Sequence, residues 1–157
     1  MVWQTMTESI PDFISHFTSD SLGNVVKIHK SYYLVDDELL KVKDKINLAP
    51  EYIGIFLGED SKPSLALLEL IAKHSDRKVF INDSAEYLFI CGRDVFGKSI
   101  VKANISQRGK IVLVQNGRDE NLGYGEIVDN LDKRDKVVLK NLADRGDFLR
   151  REMSKKS

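Results

Sequence analysis

The run Gly92-Arg93-Asp94-Val95-Phe96-Gly97-Lys98-Ser99 satisfies the G-x-x-x-x-G-K-[ST] pattern in full. In the right setting this pattern holds a nucleotide: backbone N–H groups cradle the phosphates, the lysine reaches the outer ones and the hydroxyl meets Mg²⁺. That setting is a parallel strand before the loop and a helix opening after it. Here the preceding residues carry a helix-capping signature, and Ile100-Val101-Lys102-Ala103 behind the run is rich in β-branched side chains. The run therefore reads as a tight turn, with a small phosphate-loop-like nucleotide-binding protein as the alternative.

Other reactive groups are sparse. Cys91 is the single cysteine, so no intramolecular disulfide exists, and its place after an apolar run predicts a small buried hydrophobe. His16, His29 and His74 are scattered singly, without metal-ligand spacing and without an orienting carboxylate in view. Asp36-Asp37-Glu38 imitates a carboxylate pair, but adjacent helix positions do not face one another, and capping accounts for them. The expectation is a chain with no catalytic residues, no metal site and no cofactor.

Cations are more informative. The first 76 residues hold 7 Lys/Arg against 12 Asp/Glu, a net −5, while residues 77–157 hold 17 against 12, a net +5. That asymmetry points to a polyanion-binding half joined to an acidic partner half. Arg150, Arg151, Lys155 and Lys156 crowd the last eight residues beside one acid, Glu152. On a helix Arg151 and Lys155 stand at i and i+4, a stripe suited to a phosphate backbone.

The elements that must position these groups follow from pattern. With 157 residues, 42% of them hydrophobic and 31% charged, the composition is that of a foldable chain, long enough for one core or two smaller ones. Asn24 to Ile28 and Tyr32 to Val35 predict a hairpin with a three-residue connection, Asp36 or Asp37 a capped helix to about Lys45, and Tyr52 to Leu57 a strand. Leu65 to His74 fits either one helix or a strand followed by a helix. Beyond a seam near Ser75 to Arg77, Lys78 to Asn82 predicts a strand, and Asp83-Ser84-Ala85-Glu86 a capping box with Asp83 as the cap of a helix to about Ile90. Ile100 to Ala103, Lys110 to Val114, Leu122 to Val128 and Lys136 to Leu139 are further strands, with Gly109 and Gly117 expected at positive φ in the turns between them. Gly123 and Gly125 suggest close backbone packing inside a barrel. No apolar stretch approaches the roughly 20 residues of a membrane span, and no basic leader opens the chain, so the expectation is a cytoplasmic protein with no membrane partner.

The segment from Asp83 to Asn104, then Leu122-Gly123-Tyr124-Gly125, then Asp144-x-Gly146-Asp147-Phe148-Leu149-Arg150-Arg151-Glu152 resembles the PUA domain of the ribosome-biogenesis family of nuclear import protein 7. His29 to Val35, Gly54-x-Phe56-x-Gly58, Lys62 and Leu65 to His74 are similar to its N-terminal domain in order and spacing. The resemblance spans about residues 20–153; Met1 to Asp20 departs from the longer initial helix of eukaryotic members, which points to an archaeal origin. It implies an α/β chain in two parts, an N-terminal α/β domain at 1–76 and a PUA-type β pseudobarrel at 77–157. It further implies no enzyme activity, and binding of single-stranded or uridine-rich RNA, as rRNA or pre-rRNA, in large-subunit assembly and rRNA processing. Other ribosome-assembly proteins would dock on the N-terminal domain. The RNA-binding residues it implies are Arg150 and Arg151 with the tail lysines, and in second rank Arg93, Lys98 and Lys102. A pure protein-interaction module is the remaining alternative.

Overall fold

The computed structural model describes residues 8–45 and 53–154, with side chains to Arg151. The chain divides into two compact units, Met1–His74 and Ser75–Ser157.

In the first unit, helix α1 (Ile10–Ser15) opens at Ser9, whose side chain accepts from Asp12 N. Strands β1 (Asn24–Ile28) and β2 (Ser31–Val35) form the hairpin, with a connection of two residues rather than three, because His29 takes a left-handed φ of 55°. Helix α2 (Asp37–Lys45) is capped by Asp36, which accepts from Leu39 N at 2.7 Å. Strand β3 (Ile55–Glu59) runs past Gly58, and β4 (Lys62–Pro63) completes an antiparallel sheet in the order β1-β2-β3-β4. The predicted start at Tyr52 lies outside the described residues. Leu65–His74 is one helix, α3, started by Ser64 Oγ accepting from Leu67 N. Its Leu67, Leu68 and Ile71 form one buried stripe, which resolves the alternatives in favour of the helix.

The second unit is β5 (Lys78–Ile81), α4 (Asp83–Ile90), β6 (Val95–Phe96), a 3₁₀ turn (Gly97–Ser99), β7 (Ile100–Ala103), β8 (Ile111–Gln115), β9 (Asn121–Ile127), β10 (Val137–Asp144) and α5 (Arg145–Ser154). Its sheet has the order β6-β10-β9-β8-β5-β7, antiparallel except for the β5–β8 pair. β6 and β7 are therefore the two edges of a six-stranded sheet, yet only the turn Gly97–Ser99 separates them in the chain. Such a turn advances roughly 2 Å per residue, so the sheet must curl until its edges meet. This is the pseudobarrel expected from the sequence, and Gly97–Ser99 is its closing seam. The core inside it is built from β-branched and aliphatic side chains, among them Val79, Ile81, Val112, Val114 and Leu139, with Phe89 of α4 fully buried among them.

Four local expectations shift. The cap of α4 is Asn82, one residue before Asp83; its side chain accepts from Ala85 N at 2.9 Å. In the β8–β9 connection the left-handed residue is Asp119, φ 59°, and Gly117 does not supply it. Cys91, predicted buried, is exposed at the C-cap of α4. His16 does have a carboxylate partner, Glu8, through Nε2, and the pair ties the segment before α1 to the helix end. By contrast Gly123 and Gly125 do what close packing requires: a β-carbon on them would stand 2.1 Å from Ala143 O and 2.5 Å from Lys140 O.

Candidate nucleic-acid interface

The phosphate-loop string does not form a phosphate loop. It follows helix α4, contains edge strand β6, and leads through a single 3₁₀ turn into β7. The amides a nucleotide would need are engaged, since Gly97 N donates to Lys136 O at 3.1 Å and Lys98 N to Arg134 O at 3.0 Å. Gly97 is needed for contact and not for a cradle: a β-carbon there would stand 2.3 Å from Lys133 O. These two bonds fasten the 129–136 loop across the seam of the barrel.

That fastening creates a groove of about 950 Å³, lined by Lys102 and Val101 of β7, Ser106 and Arg108 of the next loop, and Leu131 and Arg134 of the loop opposite. Lys102, Arg108 and Arg134 are exposed, as is Lys98 in the seam turn. Among the described residues none of these four cations has a carboxylate within ion-pair distance. Two acids share the groove, Asp129 and Asp132. Asp129 is held below the usual carboxylate range, first by the Lys133 ammonium and then by the Asn130 N–H, so it stays charged and is matched by Lys133 at 2.9 Å. What faces solvent is an open trough with a surplus of unneutralised cations, the pattern that displaces counterions from a phosphate backbone.

The sequence-predicted residues separate into two places. Lys102 lines the groove, Lys98 stands in the seam turn with its Nζ 5.8 Å from the centroid of the Phe96 ring, and Arg93 lines a smaller recess with Phe96. Arg150 and Arg151 lie apart on α5. Arg151 is engaged with Asp147 one turn earlier and lies over the Phe148 ring, 5.4 Å from its centroid. Arg150 stands 3.9 Å from Asp144, a buried carboxylate that caps α5 by accepting from Asp147 N at 2.8 Å. Phe148 itself is buried and offers no face for stacking. Lys155 and Lys156 lie outside the described residues.

Sequence reasoning missed Arg108 and Arg134. Arg108 sits in the Gln107-Arg108-Gly109 turn and Arg134 in an alternating acid–base run, positions that read as solvated loops until the seam brings them together.

Residues 77–153 match the UPF0113 PUA domain, a span that takes in the whole groove as well as Arg150 and Arg151. A UPF0113 protein of Archaeoglobus fulgidus is 34% identical over 149 residues, covering 88% of this chain and 82% of the relative. The chain belongs to the UPF0113 family. For this UPF0113 chain a likeness of fold extends over both units: the solved structure of a conserved PUA domain protein from Thermoplasma acidophilum superposes with a TM-score of 0.57 at 20% identity, over 90% of this chain and 89% of that one. No helix among the described residues is long and apolar enough to cross a membrane, and no group of three or more His, Cys, Asp or Glu among them could hold a metal ion.

Proposed function

We propose that this UPF0113 chain is an RNA-binding factor of ribosome biogenesis, acting in the cytoplasm in large-subunit assembly and pre-rRNA processing, and that it works by docking and not by catalysis. The single observation that carries the RNA reading is the groove at the barrel seam, where Lys102, Arg108 and Arg134 stand exposed without carboxylate partners in the PUA domain. The ribosomal part is supported by the resemblance to the nuclear import protein 7 family. In this reading a single-stranded or uridine-rich segment of rRNA or pre-rRNA lies along the groove, while the acidic first unit meets other assembly proteins. Arg150 and Arg151 act as outlying contacts, reinforced by Lys155 and Lys156.

Electrostatic docking has a quantitative signature. Each single-strand phosphate contact steepens the decline of log K with log salt by roughly 0.7. Fluorescence anisotropy with a labelled oligouridine and an oligoadenosine control, at several salt concentrations, measures that slope. Saturable binding that weakens with salt and favours uridine is the expected result; absence of binding at low salt overturns the proposal.

A further inference from the structure

We propose that strand β1 of the first unit pairs with β1 of a second copy of this chain, antiparallel across a two-fold axis. The inference goes beyond the RNA-binding reading above and does not depend on it.

The edges of the first sheet are β1 and β4, and they are built differently. β4 is two residues long and holds Pro63. The segment before α1 also covers the turn that leads into it, since Ser61 N donates to Glu8 O at 2.6 Å and Glu8 N to Ser61 Oγ at 2.8 Å. Shortness, proline and cover are the devices that keep a sheet edge from pairing with another chain. Among the described residues β1 has none of them. It runs for five residues, Asn24 to Ile28, in unbroken register with β2. Its one charged side chain is engaged within the unit: Lys27 Nζ lies 3.9 Å from Asp60 Oδ2 and 5.2 Å from the centroid of the Tyr32 ring.

The hairpin decides which backbone groups are open. Ile28 and Ser31 close a two-residue connection, so their N–H and C=O groups face each other. Alternation then turns the groups of Val26 and Asn24 toward β2 as well, and those of Val25 and Lys27 outward. Among the described residues no other strand or loop bonds the N–H or C=O of Val25 or Lys27. In a two-fold pair centred on Val26, Val25 of each copy stands opposite Lys27 of the other, and each such pair exchanges both of its N–H···O bonds.

Charge selects the second copy and fixes the direction. The Asn24 end of the edge is acidic: Asn24 Nδ2 donates to Asp37 Oδ1 at 2.7 Å, and Asp36, Asp37 and Glu38 are all exposed. The Ile28 end is basic, with Lys30 exposed in the turn and, among the described residues, without a carboxylate in ion-pair distance. Antiparallel pairing sets Asn24 opposite Ile28 of the other copy and so brings Asp37 toward its Lys30. Parallel pairing would set acid beside acid, which is unfavourable. An edge that carries both halves of its own complement fits an isologous interface, in which the same patch serves both copies.

The test is sedimentation equilibrium of the full chain over a range of concentrations, for wild type and Val25→Pro. Proline at this edge position removes a donor that faces outward and none that β2 uses. Both copies lose that donor, so the dissociation constant of the dimer is expected to rise roughly 30-fold, from the net worth of the hydrogen bonds lost, with the urea midpoint of the monomer retained. A second measurement needs no variant. Amide hydrogen exchange in wild type is expected to slow at Val25 and Lys27 as concentration rises, while Val26, already bonded to β2, exchanges slowly throughout. A wild type that is monomeric at every concentration overturns the inference, as does a dimer that Val25→Pro leaves intact. A dimer whose Val25 and Lys27 amides exchange as freely as in the dilute protein pairs elsewhere, and overturns it too.

Discussion

Gly97 lies against the main chain of Lys133, so close that a β-carbon on Gly97 would stand 2.3 Å from the Lys133 carbonyl oxygen. This contact closes the barrel, because Gly97 sits in the turn that brings the sheet's two edge strands together. Gly97→Ala is expected to destabilise the second unit by about 1–3 kcal/mol, the range of overpacking in a fitted site. A chemical unfolding curve measures it. A phosphate loop would make a different prediction, with Mg²⁺-dependent retention of ATP or GTP abolished by Lys98→Ala; no such retention is expected, since the Gly97 and Lys98 amides are spent on Lys136 O and Arg134 O.

Two cationic regions make separable contributions to RNA binding. In Lys102→Ala with Arg108→Ala and Arg134→Ala, the salt slope is expected to fall by about 2, at roughly 0.7 per single-strand contact. In Arg150→Ala with Arg151→Ala it is expected to fall by less, because Arg151 must leave Asp147 to reach a phosphate and Arg150 stands beside the buried Asp144. A larger fall in the α5 double variant than in the groove triple variant would place the main interface on α5.

Legibility in the sequence tracked the range of the interaction. Asp36 as a cap, the hairpin from Asn24 and the close packing at Gly123 and Gly125 rest on neighbours or on glycine's missing side chain, and the residues announce them. Where two cap residues stand in line, as Asn82 and Asp83 do, the pattern alone does not say which carries the bond to Ala85 N. The strand expected at Lys136 to Leu139 is β10, Val137–Asp144, and its second half is not legible because Asn141 and Asp144 interrupt its apolar pattern with side chains that bond α4's carboxy-terminal loop and cap α5. The groove was out of reach. Lys102, Arg108 and Arg134 come from three separate segments that only the closure of the sheet brings together.

The start of α4 supports the core, to which its Ala85 and Phe89 belong. Asn82→Ala removes the acceptor of the Ala85 N–H and is expected to cost about 1 kcal/mol, the usual loss for an N-cap. Asn82→Asp, which restores an acceptor, is expected to recover most of it. Thermal unfolding of the three proteins distinguishes a lost cap from a general loss of packing, which the aspartate would not repair.

The β8–β9 connection couples stability to pH. Asp119 accepts from Gln115 Nε2 at 2.9 Å and from Lys78 Nζ at 3.1 Å, and these bonds hold its carboxyl below the usual range, Gln115 contributing most. Gln115 is fully buried and Lys78 keeps only 12% of its side chain exposed, so neither can turn to water for a partner without moving. A carboxylate whose folded pKa lies below its unfolded value stabilises the fold above the unfolded pKa, and that contribution disappears as pH falls through the folded one. The loss therefore belongs to the acid side, below about pH 4. Asp119→Asn tests it cleanly, because asparagine also accepts the left-handed φ of 59° at this position. The variant is expected to be less stable than wild type at pH 7, with the difference in urea midpoint shrinking as both are taken toward pH 3. A difference that stays constant over that interval would show that Asp119 acts through shape and not through charge.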